Sequence, residues 1–329
     1  MHQTIESKLS RFARVSVIGW LWRFRRGSVV RRAFLAFQRW RRGMLAMADP
    51  GGLMTTLQFP IEAKPKSSEE VVVLTANLWH DWPLRRRLPE RMESFARMIE
   101  AEGVDVVLTQ EVVRTSDLWF DQWLSDRLGM SCLYSRANGH QGTIGFEEGL
   151  AIFARYPLVS TRVRRLEPRI SRFVNRLALG AEIQTPSGNI WVFSVHLSLL
   201  QSHNASQVGA LSDWVAMVAG NGFAVIGGDF NAPEHAPQIR RTRQSWLDTF
   251  RHIHPQADGT THEIRWPWGT ALRRHRLDYL FLHENEPIWQ VVDARHVVGG
   301  SRPHSDHRPV MVRLSRCGQP LMPSTQYPP

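Results

Sequence analysis

A chain of 329 residues, 43% of them hydrophobic and 22% charged, can bury one large core or two ordinary ones. Its two cysteines, Cys132 and Cys317, exclude a disulfide framework and a CxxC metal motif, and they predict a reducing, cytoplasmic location. The formal net charge of +11 suggests a nucleic-acid binder until it is located: Lys8 and ten arginines against Glu6 put +10 into residues 1–45 and leave +1 for everything else.

That basic segment mixes arginine with tryptophan, phenylalanine and valine. Val30, Ala33, Phe34 and Phe37 fall at helical spacing, with Arg31, Arg32 and Arg39 between them. It reads as an amphipathic helix for an anionic membrane surface, which would make the protein peripheral to a membrane, or as a phosphate-binding arm. A transit peptide has a similar composition. The bland alternatives are a disordered leader, or translated upstream sequence with the true start at Met44, Met47 or Met54. No apolar run reaches the roughly 18 residues that span a bilayer. "DPGG" and "EAKPKSSEE" make residues 50–69 a linker, so that 1–69 is expected to stand apart from the fold.

The folded body is expected over 70–315. "VVVLTANLW" (71–79) predicts an apolar strand. Leu88, Met92, Phe95, Ala96 and Ile99 predict a helix over 87–101. A second apolar strand follows at 104–112, then a helix at 116–129 with Ser116 or Asp117 as its cap and Gly129 as its stop. Short strands are expected at 131–135 and 150–154, a hairpin at 158–166 and 176–184, and a strand at 189–198. Val208, Leu211, Val215 and Val218 mark a helix, followed by a strand at 223–228. An irregular region extends to about 275, and strands close the body near 277–283, 288–298 and 308–314. Residues 316–329 read as a disordered tail. Strands outnumber helices, and helices follow strands singly, which predicts an α/β fold of two packed mixed sheets with helices outside.

Several strands end in residues that a core does not need. The first ends at Asn77 and the second in Gln110-Glu111. His196 lies between Val195 and Leu197. "FAVIGGDFNAPEH" (223–235) runs from a buried strand into Asp229 and Asn231, which share one face of an extended chain. Asp278 interrupts "RLDYLFL", and Asp306 and His307 precede the last strand. Each has a bland reading: a core histidine, a side chain closing its own turn, a helix cap. Asp278 is harder to dismiss, since a buried carboxylate needs a partner, and His307 or an arginine would serve. Taken together, so many polar strand ends point to one site. Glu111 is a hard oxygen ligand for Mg²⁺ or Mn²⁺, with Asn77 and Asp306 as companions. His, Asp and Asn can activate water and steady phosphoryl oxygens.

"TANLW", "LTQEV", "SVHLS", "GGDFNAP", "RLDYLF" and "SDHRPV" resemble, in order and spacing, the motifs of the endonuclease/exonuclease/phosphatase family. That family includes pancreatic-type deoxyribonucleases, exonuclease III-like repair nucleases, neutral sphingomyelinases and inositol 5-phosphatases. The resemblance implies a four-layer α/β sandwich and a metal-dependent phosphoester hydrolase. It implies Glu111 as the main Mg²⁺ ligand with Asn77 beside it and Asp306 close by. It implies Asp229 as the group that orients or deprotonates the attacking water, Asn231 as a ligand of a phosphate oxygen, and His307 as phosphate binder, oriented by Asp278. His196 matches the deoxyribonuclease and sphingomyelinase branches, where histidine serves phosphate binding or proton transfer; repair nucleases tend to have tyrosine there. Gly227 and Gly228 are expected to let the backbone turn tightly at the sheet rim.

The substrate is less legible. Residues 162–176 hold six arginines against Glu167, and 273–276 read Arg-Arg-His-Arg; both suit a nucleic-acid backbone or a solvated hairpin tip. Trp266 and Trp268 suit base stacking, lipid contact or burial. The expectation is a monomeric phosphodiesterase, with nucleic acid favoured, phospholipid or another phosphoester next, and a non-catalytic binding module on the same fold last.

Overall fold

The computed structural model describes residues 55–62, 64, 69–81, 84–171, 174–265, 271–283, 288–297 and 304–317. The basic N-terminal segment, Trp266, Trp268 and the tail beyond Cys317 lie outside the described residues. No described helix is long and apolar enough to cross a membrane.

Alternation along the strands sets the architecture. In β2 (Val71–Asn77), Val71 and Val73 face one core, while Val72 and Leu74 face another. A strand apolar on both faces must be covered on both. The seven-stranded sheet containing it runs β1-β4-β5-β3-β2-β15-β14. These are β1 (Thr55–Gln58), β3 (Val106–Thr115), β4 (Ser131–His140), β5 (Phe146–Ala154), β14 (Trp289–His296) and β15 (Val310–Arg316) about β2. Its outer face packs on α1 (Leu88–Ala101) and α2 (Phe120–Leu128) through Met92, Phe95, Ile99, Phe120 and Leu124.

The six-stranded sheet runs β10-β13-β9-β8-β7-β6. Its members are β6 (Leu158–Ser171), β7 (Val174–Thr185), β8 (Gly188–His196), β9 (Ala224–Asp229), β10 (Leu247–Asp248) and β13 (Asp278–His283). Its outer face packs on α4 (Gln201–Ala219) and α5 (Pro237–Ser245) through Leu211, Trp214, Val215 and Ile239. Between the sheets lie Val106, Leu108, Ile152, Leu179, Val192, Val225, Leu280 and Val312. Helices, sheet, sheet, helices: this is the four-layer α/β sandwich. Each sheet is mixed, with one parallel pair near its middle, β2–β3 and β8–β9.

Several boundaries differ from expectation. Thr55–Gln58, read as linker, pairs with β4 as an edge strand, and Gln58 Nε2 donates to buried Asp121 Oδ2 at 2.7 Å. The helix expected from 116 starts at Phe120. Asp117 does not cap it: its Oδ1 accepts from Thr115 Oγ1 inside the tight loop that brings Trp119 back to Arg114. Residues 229–275 are not irregular throughout. They form α5, β10, α6 (Thr249–Ile253) and the hairpin β11 (His262–Arg265) with β12 (Ala271–His275). A short α3 (Gln141–Ile144) joins β4 to β5. Gly227 and Gly228 make no turn; both lie within β9. A Cβ on Gly228 would stand 2.0 Å from the Val195 carbonyl oxygen, and one on Gly227 would meet Leu280 and Leu108 at 2.6 and 2.7 Å. They allow the two sheets and β8 to approach closely at this end.

Candidate active site

The inner face of the sandwich changes character at one end. On β2 the inward series Val71, Val73, Thr75 closes with Asn77; on β3, Val106 and Leu108 are followed by Gln110. On β8, Ile190, Val192 and Ser194 lead to His196, and on β9, Val225 and Gly227 lead to Asp229. Running the other way, β13 places Asp278 before Leu280, and β5 places Glu148 before Leu150. The period of two therefore aims all of these polar groups into the gap between the sheets. Register lines them up: Asn77 is opposite Gln110, and His196 and Asp278 are both opposite Asp229.

Hydrogen bonds tie the two rows together. Asn77 Nδ2 donates to Asp229 Oδ2 at 3.1 Å and to Glu111 Oε1 at 3.2 Å. Asp229 Oδ1 accepts from the Asn231 backbone N–H at 2.8 Å, and Asn231 Nδ2 donates to the Leu197 carbonyl at 3.0 Å. Glu111 sits in a bulge of β3 with φ 58°, and Asn231 has φ 49°. Bulges and left-handed non-glycine residues cost free energy and re-aim side chains, which is what places Glu111 beside Asn77.

His307 enters from the segment before β15. Its Nδ1 lies 2.8 Å from Asp278 Oδ2. Burial opposes its charge, but Asp278, Asp229 and Asp306 outweigh burial and push its pKa up to about 10. Asp229 is also raised, which for a carboxylate disfavours the charge: burial, with Asp278 nearby, lifts it to about 6 against the pull of His307, Asn231 and Asn77. Burial and the Arg176 guanidinium hold His196 well below the ordinary imidazole range. Burial and the neighbouring Glu148 raise Glu111.

All of Asn77, Glu111, His196, Asp229, Asn231, Asp278 and His307 thus meet at one end of the sandwich. Asp306 belongs to a neighbouring group. Its Oδ2 is 3.7 Å from His262 Nε2, and ligand atoms of His262, Asp306 and His307 come within 4.8 Å of one another. Glu111 instead groups with His80 and Glu148, whose ligand atoms also lie within 4.8 Å of each other. His80 Nε2 stands 3.4 Å from Glu111 Oε2 and 3.1 Å from Glu148 Oε2. Two carboxylates and an imidazole make a mostly oxygen donor set, which fits a hard divalent cation such as Mg²⁺ or Mn²⁺; the Asn77 amide orients Glu111 through Nδ2.

Four residues of this site escape a reading of the sequence: His80, Glu148, Arg176 and His262. His80 lies three residues past Asn77, and Glu148 lies two residues before the apolar run that starts at Leu150, so both carried a faint signal. Arg176 is hidden in a run of arginines. His262 has no signal at all; the β11–β12 hairpin brings it to His307, with ring centroids 4.5 Å apart.

The fold and this constellation suit a hydrolase of phosphate esters. The profile of the Endonuclease/Exonuclease/phosphatase family matches residues 74–307, and the chain belongs to that family. It is accordingly a metal-dependent hydrolase of phosphoester bonds. A search of curated proteins gave no match. Among solved structures, an endonuclease/exonuclease/phosphatase family protein from Leptotrichia buccalis is similar at 19% identity and TM-score 0.62, covering 74% of this chain and 99% of that one. A humanized D. rerio TDP2 shares 13% identity at TM-score 0.59, over 75% and 100% of the two chains. A Bacteroides thetaiotaomicron mannosyl-6-phosphatase shares 18% at TM-score 0.56, over 74% and 99%. At these identities the likeness is one of fold.

Proposed function

We propose that this hydrolase cleaves phosphodiester bonds with Mg²⁺ or Mn²⁺, and that its favoured substrate is a nucleic acid. The reading is carried by the convergence of Asn77, Glu111, Asp229, Asp278 and His307, from both sheets, on one gap. The bound cation would be held by Glu111 with Glu148 and His80, beside Asn77, and Asp306 lies in the neighbouring group. When present it supplies Lewis-acid polarisation of the phosphoryl group and charge neutralisation.

The chain's own groups do the rest. Asp229 accepts the proton of the attacking water; a carboxyl raised to about 6 is ionised near neutrality yet basic enough for that task. His307 offers Nε2–H to a phosphoryl oxygen, because Nδ1 is engaged by Asp278. Its cationic form matches the negative charge that builds up as water attacks. Asn231 contributes its amide to a second phosphoryl oxygen, and His196 stands on the opposite side of Asp229.

A polymeric substrate is supported by exposed Arg273 on β12, whose partner strand carries His262 against His307. A cation there suits the next phosphate of a backbone. A phospholipid is the second reading, favoured by Leu199 and Leu200, which are 65% and 47% exposed just past His196. The test is hydrolysis of DNA, RNA, sphingomyelin and bis(p-nitrophenyl) phosphate, each with Mg²⁺, Mn²⁺ or EDTA. Cleavage of sphingomyelin but not of DNA or RNA would overturn the nuclease preference. No metal-dependent cleavage of any of the four would overturn the phosphodiesterase reading.

A further inference from the structure

His196 is buried at the end of β8, and the side chain nearest its Nδ1 is Arg176 of β7, with Nη1 at 3.1 Å. A guanidinium has donors only and does not lose its proton in a protein. His196 Nδ1 must therefore accept. A neutral imidazole has one N–H, so the proton lies on Nε2, which is 3.6 Å from Asp229 Oδ2. Arg176 is itself only 8% exposed, and its Nε has no hydrogen-bond partner among the described residues. Burying an arginine so incompletely paired is costly. A structural strut would be better paired.

We propose that Arg176 is a positioning residue that locks His196 in the neutral Nε2–H tautomer, making His196 a hydrogen-bond donor to a phosphoryl oxygen and excluding it as the general base. This rests on the site reading above and assigns a role within it. An imidazole whose Nε2 already carries its only proton cannot take another from water at that atom. Protonating Nδ1 would set two donors against each other in a buried place. The charged and titratable groups facing the ring are Arg176 on β7, Glu148 on β5, Asp229 on β9, His307 before β15 and His80 after β2. The cation at Nδ1 thus leaves proton abstraction to Asp229.

The test is a long-range ¹H–¹⁵N spectrum of the full-length protein carrying ¹⁵N-histidine, with His196 assigned by its loss in His196→Gln. The expected result is a protonated Nε2 and an unprotonated Nδ1, unchanged from about pH 5 to 8, the interval in which an ordinary histidine titrates. Arg176→Lys, still a donor, should keep that tautomer. Arg176→Glu should move the proton to Nδ1, introduce a titration into the pH–rate profile and lower kcat by about 10²–10³, the usual loss of one transition-state donor. A protonated Nδ1 in the wild type, or a His196 titration within that interval, would overturn the proposal even if neither Arg176 variant folds. The spectrum needs neither metal nor substrate, so its failure concerns this inference alone. Normal turnover in Asp229→Ala would instead remove the site reading beneath it.

Discussion

Asp278 Oδ2 and His307 Nδ1 stand 2.8 Å apart although 29 residues separate them in the chain, and Asp278 is fully buried. The carboxylate fixes which imidazole nitrogen faces the gap and holds the ring cationic. Two groups that act as one unit should not have additive effects. His307→Ala is expected to lower turnover by about 10²–10⁴, and Asp278→Asn by less. The double variant should lose little more than His307→Ala alone. Fully additive losses in kcat would show that the two act separately.

Glu111 is gathered with His80 and Glu148 into a mostly oxygen donor set beside Asn77. EDTA should therefore abolish hydrolysis, and Mg²⁺ or Mn²⁺ should restore it. Glu111→Gln should weaken metal binding in calorimetry as well as turnover. Full activity in EDTA would contradict this set as the metal centre.

The pH–rate profile follows from two groups with opposite requirements. Asp229 must be ionised to accept a proton, so kcat/KM should rise with pH through about 6. A bound cation nearby favours the carboxylate, and saturating metal should shift that limb downward. His307 must keep its proton, so activity should fall as pH passes about 10. An alkaline limb near the ordinary histidine value would mean that Asp278 does not hold the cation.

Gly228 is packed against backbone. Gly228→Ala puts a carbon 2.0 Å from the Val195 carbonyl and should cost roughly 1–3 kcal/mol or more in urea unfolding. Gly209→Ala, in α4 with nothing within 4 Å of its added carbon, should be neutral or stabilising by about 0.5–1 kcal/mol. Equal effects would count against a close approach of β8 and β9.

The basic arm should be separable from the chemistry, with a precise limit. A protein beginning at Met54 keeps β1, its bond from Gln58 to Asp121 and the Thr56 hydroxyl that accepts from Arg114. It should hydrolyse a small phosphodiester at the full-length rate. It should bind anionic liposomes or DNA more weakly, by about 1 kcal/mol per lysine or arginine held near a charged surface, a difference that salt removes. A protein beginning at Glu69 loses β1 and should unfold at lower denaturant. Equal stability of the two truncated forms would show that the edge strand is dispensable.

What the sequence determined by itself was the set of apolar strands and their polar ends. Alternation at period two is local, so Val71 to Asn77 or Val225 to Asp229 can be read without knowing any neighbour. Six motifs in one order were enough for the family and, with it, for most of the site. The tertiary structure decided what depends on residues distant in the chain. β1 is a strand only because β4 offers it an edge, and nothing in "TTLQ" demands one. The two glycines looked like a turn because only the packed sheets reveal what a side chain there would strike. His80, Glu148, Arg176 and His262 became part of the site through a bulge, a hairpin and strand register, which bring donors within a few ångströms across gaps of 20 to 68 residues. Charge follows the same rule. Burial and Asp278 raise the pKa of Asp229, while Asp278, Asp229 and Asp306 raise that of His307 against burial, and none of this exists until the two sheets close.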